Sequence, residues 1–129
     1  MWGFDSYIYQ SNVIYGMFRA VFHMNRMDGM TRDAFREYQL TTHVPIGTQL
    51  PNLRRYTLSF PVDPDAAPCD VVAELYFDSM ADLEEAMASS EAAAAIADLE
   101  NYVDLDSLVQ FVVEEEPVFD RSADTPRSD

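Results

Sequence analysis

Apolar and polar residues alternate in four stretches of this chain, and that alternation predicts four strands. From residue 17 to 25 (MFRAVFHMN), Phe18, Ala20, Phe22 and Met24 fall on one face, and Arg19, Val21 and His23 on the other. Residues 53–62 place Arg54, Tyr56, Leu58 and Phe60 opposite Leu53, Arg55, Thr57 and Ser59. Residues 70–78 set Val71, Ala73, Leu75 and Phe77 against Val72, Glu74 and Tyr76. Residues 106–114 set Leu108, Gln110 and Val112 against Val109, Phe111 and Val113.

Helical signals lie between them. Gly29 sits in a turn that favours positive φ, and Thr31 is an N-cap with Asp33 at the positive end of the helix dipole. Ala34, Phe35 and Tyr38 form the apolar stripe, and Arg32, Arg36 and Glu37 face water. Pro45 disfavours helical geometry at Val44, so this helix is expected to stop near Thr42, with a second short helix from Pro45 towards Leu50. The segment 63–68 (DPDAAP) is a loop. Ser79 with Asp82 resembles a capping box opening a helix through Leu83, Ala86 and Met87. Ser89 and Ser90 re-cap a second piece running to about Leu99, with the strongest helix formers at 92–95.

The predicted order is β-α-β-β-α-β. It defines an α+β fold, the ferredoxin-like split plan with an antiparallel sheet and helices on one face. Nothing in the chain remains to cover the second sheet face. A second copy is the expected cover, and two such sheets packed face to face make a dimeric α/β barrel.

Composition sharpens this outline. At 129 residues with 48% hydrophobic content, the chain fits one globular domain. Residues 17–115 are read as the domain, 1–16 as an aromatic extension and 116–129 as an acidic flexible tail. Met17 is the expected natural start; the alternative is an arm packing on a partner through Trp2, Tyr7 and Tyr9. The single cysteine, Cys69, is read as incidental, and it fits a reducing cytoplasm. Twenty-three acids face eight bases, all arginine, for a net charge of −15. That surface repels nucleic acid and anionic lipid. With lysine absent, it points to adaptation to molar salt, where screening shortens to about 3 Å. The unfolding midpoint should then rise between dilute buffer and molar KCl; a midpoint that stays flat would sink the idea. The uncharged run at residues 6–18 is too short for the about 20 residues of a membrane span.

Several pieces together resemble the EthD domain family of the dimeric α/β-barrel superfamily. They are Gly29-Met30-Thr31 with Phe35-Arg36-Glu37-Tyr38, then Thr42-His43-Val44-Pro45, then Leu50-Pro51-Asn52-Leu53-Arg54-Arg55-Tyr56, and Val72-Ala73-Glu74-Leu75-Tyr76-Phe77-Asp78-Ser79. The resemblance runs from Met17 to Val113, about three-quarters of the chain. It departs at Gln39, where members commonly carry Trp; if that ring lines the pocket, ligand choice differs. The resemblance implies a homodimer with a ligand cavity, usually filed under oxidoreductases. Relatives in polyketide pathways resemble anthrone oxygenases or cyclase-like enzymes. The wider superfamily also holds haem proteins, cofactor-free monooxygenases, isomerases and binding modules, so it implies architecture more than reaction.

His43, at the expected helix break, is the candidate general base for an acidic phenol or enol. The structural alternative is a histidine that caps freed helix-end carbonyls. His23 and Arg19 share a sheet face by alternation. Adding the polar sides of the other strands gives Tyr56, Glu74, Tyr76 and Gln110 as an expected substrate-binding wall inside the barrel. Glu74 needs a partner if buried, and Arg19 is the obvious one. Two distant histidines give no metal-ligand spacing, and no Gly-rich loop cradles a phosphate. Haem ligation through His43 stays open. The expected function is a cofactor-free oxidoreductase of monooxygenase type acting on a small apolar or aromatic molecule. A non-catalytic ligand-binding barrel and a lyase or isomerase using His43 are the alternatives.

Overall fold

A computed structural model describes residues 18–124. The expectations for the N-terminal extension therefore lie outside the described residues. Four strands, β1 (Phe18–Met24), β2 (Arg55–Ser59), β3 (Val71–Phe77) and β4 (Val109–Glu114), form one antiparallel sheet in the order β2-β3-β1-β4. This is the ferredoxin-like arrangement. The strands are shorter than the alternation suggested. β4 begins three residues late because Leu105–Ser107 forms a 3-10 turn, whose preceding Asp104 side chain accepts the Asp106 N–H.

Register fixes the two faces. Phe22 lies opposite Ala73 and Gln110, and Tyr56 opposite Leu75. One face therefore carries Phe18, Ala20, Phe22, Met24, Tyr56, Leu58, Val71, Ala73, Leu75 and Phe77, and the helices pack on it. Helix α3 (Met80–Met87) is capped by the Ser79 hydroxyl on Asp82 N, and α4 (Ser90–Asp98) by Ser89 on Ala92 N. Both caps match the sequence reading. Leu83, Ala86 and Ala92 bury this pair against Ala20, Leu75 and Phe77.

The first helical unit departs from expectation. Helix α1 (Arg32–Tyr38) has its Thr31 cap on Ala34 N, and Gly29 adopts φ +85° in the turn before it. Ala34 is exposed, leaving Phe35 as the buried anchor. The helix does not stop at Thr42. It widens into a π turn over Gln39–His43 and continues as α2 (Val44–Gly47) with Pro45 inside it. Val44 takes helical angles despite the following proline, and its N–H reaches Gln39 O, five residues back. The wide turn relieves the proline's clash with the carbonyl four residues earlier.

That π turn also sets which side chains face inward. Phe35, Gln39, His43 and Gly47 are all buried, at every fourth position. Four α-helical residues overshoot a full turn by about 40°. The wider turn in the middle undershoots and cancels the drift, so two polar residues stay aimed at the sheet. Asn52, at φ 65° in the turn before β2, donates to Asp82 O (3.2 Å) and Glu85 Oε1 (2.8 Å), tying that turn to α3.

Candidate functional site

His43 is buried at the inner edge of the π turn. Its Nδ1 lies 2.8 Å from Asp98 Oδ2, on the last residue of α4. The other Asp98 oxygen accepts from Tyr38 OH at 2.7 Å and from Asn101 Nδ2 at 3.0 Å. Burial pushes the Asp98 carboxyl up, but the hydrogen bonds from Tyr38, Asn101 and His43, with the His43 charge, outweigh it and hold it below its ordinary value. The Tyr38 hydroxyl is pushed up, chiefly by its bond to that carboxylate. A carboxylate only accepts, so Nδ1 carries the proton in the pair and Nε2 is the basic atom. The helix-cap reading of His43 is therefore corrected. Its partner is a carboxylate 55 positions away, not a freed carbonyl.

Three aromatic rings hold the pair. Tyr102, fully buried, packs on Phe35, Tyr38 and His43 with centroids 5.4, 4.7 and 5.2 Å away. Beside His43 lies a cavity of about 40 Å³, lined also by Tyr56, Gly47, Leu50, Met87 and Ile96 among others. That holds a water molecule or two and is far below the roughly 300–1,000 Å³ of a ligand pocket. His43 and Tyr56 are the polar side chains of its wall among the described residues. Ile96, half exposed, marks the side nearest solvent. Burial pushes the Tyr56 hydroxyl up to about 12, so it stays protonated. Its ring lies against Gly47, where an added Cβ would come within 2.9 Å of Cε2.

The six residues expected to share one wall do not share it. Arg19, His23, Glu74 and Tyr76 lie on the outer sheet face; Tyr56 and Gln110 lie on the helix face. In β2 and β4 the polar residue was assigned to the outer face by chemistry, where the register follows the apolar neighbours. Gln110 is exposed near Phe22 and Met87 at the open edge of the sheet. On the outer face the expected pair forms: Arg19 Nη1 bonds Glu74 Oε2 at 3.0 Å, and its Nη2 reaches Glu115 at 3.2 Å. Arg19 and Arg55 both lie over the Tyr76 ring, at 5.2 and 4.9 Å. His23 meets Phe111 edge-on at 5.6 Å.

Sequence reasoning missed Asp98, Tyr38, Asn101 and Tyr102. Asp98 did leave a signal. An acid in the last turn of a helix opposes the dipole and calls for a partner, and here it follows Ile96-Ala97 in an apolar stretch. Cys69 is buried and its thiol is pushed up, chiefly by burial, which disfavours a thiolate. Among the described residues, no three His, Cys, Asp or Glu side chains are grouped to hold a metal ion, and no helix is long and apolar enough to cross a membrane.

Fold and site together define a ferredoxin-like α+β domain with a histidine–aspartate pair at the head of a small apolar cavity. The family model for the EthD domain matches residues 27–106. An uncharacterised 11.0 kDa protein from the thcB–thcC intergenic region of Rhodococcus erythropolis is 35% identical over 71 residues, which are 54% of this chain and 69% of that one. This chain belongs to the EthD domain family. Its fold is similar to that of an EthD (ethyl tert-butyl ether D) family protein from Bacillus halodurans, with TM-score 0.66 and 24% identity over 78% of this chain and 100% of that one. It is also similar to a dimeric ferredoxin-like protein of unknown function from Thermobifida fusca, with TM-score 0.61 and 17% identity over 78% and 92% of the two chains.

Proposed function

We propose that this protein is a cofactor-free enzyme of oxidoreductase, monooxygenase-like type that takes a proton from a small apolar or aromatic substrate, with His43 as base. One observation carries the reading. The 2.8 Å contact of Nδ1 with Asp98 leaves Nε2 as the basic atom of a ring that lines the cavity. Asp98 orients the ring and balances the imidazolium that forms when Nε2 takes the proton. In the oxygenase reading, the resulting carbanion supplies electrons to dioxygen. A methylene becomes a carbonyl, one oxygen atom enters the product and the other leaves as water. A lyase or isomerase shares the first step and returns the proton elsewhere.

The cavity of about 40 Å³ requires Met87, Ile96 and helix α4 to give way before an organic molecule fits. That movement is compatible with α4, which faces the cavity largely with alanine side chains, Ala92 and Ala95. We also read the molecule as a cytoplasmic, salt-adapted homodimer, the outer sheet face being the surface that a second copy covers. The half-exposed Val109 and Phe111 on that face support this, as does the dimeric state of the Thermobifida relative. Arg19, His23, Glu74 and Tyr76 then belong to the barrel interior.

Acetylacetone, a small β-diketone, tests the base without knowledge of the natural substrate. The native protein should speed deuterium exchange at its acidic C–H, followed by NMR in D2O, and His43→Ala should slow that exchange by about a hundredfold or more. Unchanged exchange in the variant would remove His43 from the chemistry and favour the non-catalytic carrier.

A further inference from the structure

Behind Tyr56 lies a group of polar atoms that the base reading leaves unused. Gln39 is fully buried in the π turn, and neither its Oε1 nor its Nε2 has a hydrogen-bond partner. The Tyr102 hydroxyl, also buried, is likewise unpartnered. Gln39 stands near both phenols, whose hydroxyls burial pushes up, yet no pair closes to good hydrogen-bond geometry. Three orphaned polar atoms together are costly in an apolar core, each by the desolvation it is not repaid for. An apolar side chain of the same size would pack there without that cost.

We propose that Gln39 is a positioning residue for ligand binding, holding the Tyr56 hydroxyl towards the cavity as the donor that meets the oxygen of a neutral phenol or enol. The chain of donors has one sense that serves this. Tyr102 O–H gives to Gln39 Oε1, Gln39 Nε2–H gives to the Tyr56 oxygen, and Tyr56 O–H is left to point at the ligand. Each bond polarises the next, so the last donor is strengthened by the two behind it. Tyr56 and His43 line the same small cavity, so one ligand oxygen can accept from the phenol while its proton turns to Nε2. A ligand oxygen that accepts from Tyr56 completes the chain.

The chemistry of the wall narrows the ligand. Among the described residues no guanidinium lines the cavity, and burial at Tyr56 already disfavours negative charge. A carboxylate entering there finds no guanidinium to replace its hydration. The ligand enters neutral, with a hydroxyl or enol at one end and an apolar body towards Met87 and Ile96.

This inference rests on the proposed ligand site, but it is read by binding, whereas the base is read by exchange. Phenol, toluene and benzoate serve as probes in calorimetric titration. The native protein is expected to prefer phenol about tenfold over both others, the range of one good neutral hydrogen bond. Gln39→Met should bring the phenol-to-toluene ratio close to one while leaving toluene affinity unchanged. Tyr56→Phe, which keeps the ring, should do the same and serves as the deciding variant if Gln39→Met does not fold. His43→Ala should keep at least part of the preference, so loss of exchange without loss of the ratio separates the two readings. A native protein with no phenol preference overturns the inference. So does a full preference retained in Tyr56→Phe, or a Gln39→Met variant that weakens phenol and toluene equally.

Discussion

The two faces of the sheet carry polar clusters of opposite kinds. On the helix side, Asp98 is buried and accepts from three side chains, His43, Tyr38 and Asn101, with an aromatic ring packed against the imidazole. On the outer side, Arg19 bridges Glu74 and Glu115, with side chains about a quarter exposed. The first cluster centres on a buried carboxylate and a buried imidazole, so losing their contact strands a buried polar group. The second still has water within reach, so its charges are screened and interchangeable. Similar distances, 2.8 and 3.0 Å, thus stand for unequal energies. Burial, rather than the presence of an ion pair, separates the place where a proton can be managed from the place where charges only meet.

The largest effect that would break this contrast is at Asp98. Asp98→Ala removes the acceptor of the buried His43 ring and of the Tyr38 and Asn101 donors, and should cost about 3–5 kcal/mol in urea unfolding, with loss of acetylacetone exchange. Asp98 also carries a sign in pH. Its carboxyl is held below its unfolded value of 3.8, so its contribution is fully present above that value and is lost as pH falls through the folded one. Asp98→Asn should remove that part of the acid-side slope. A slope identical to that of the native protein would place the titration elsewhere.

A middle-sized effect is expected at Phe111, half exposed on the outer face. Phe111→Glu should weaken dimerisation about thirtyfold or more by light scattering in high salt, while the monomer stays folded and the cavity keeps its ligand. A single-chain mass for the native protein would refute the dimer. The smallest effect is Glu74→Gln. With Arg19 keeping Glu115, the change should cost about 1 kcal/mol or less in the separated chain. A larger loss in the native assembly would mean that a second copy has buried the pair, moving the outer face towards the helix-side case.

Much of the fold was legible in the residues. Period-two alternation located all four strands, and Thr31, Ser79 and Ser89 marked helix starts that their hydroxyl bonds to Ala34, Asp82 and Ala92 bear out. The Arg19–Glu74 pair could be named from a buried acid's need for a partner. The site was only half legible. Alternation says which residues share a face within one strand but not which face of the next strand joins it. Tyr56 and Gln110 were placed with Arg19 because they are polar, while their apolar neighbours decided the register. Asp98 was hidden because the helix that carries it is far in sequence from His43. The π turn left no propensity signal, since its only trace is burial at four-residue spacing.

That turn has a consequence for heredity of the site. It is an α-helix carrying one surplus residue, and the wider turn absorbs it, so the side chains beyond it keep the face they would have without it. Remove one residue between Gln39 and His43 and the helix would close its ordinary ladder, with no break in the backbone and little change in the fold. His43 would then follow Phe35 by seven positions, within about 20° of two full turns, and stay on the sheet side. A one-codon gain or loss in this turn is thus a change that the histidine survives.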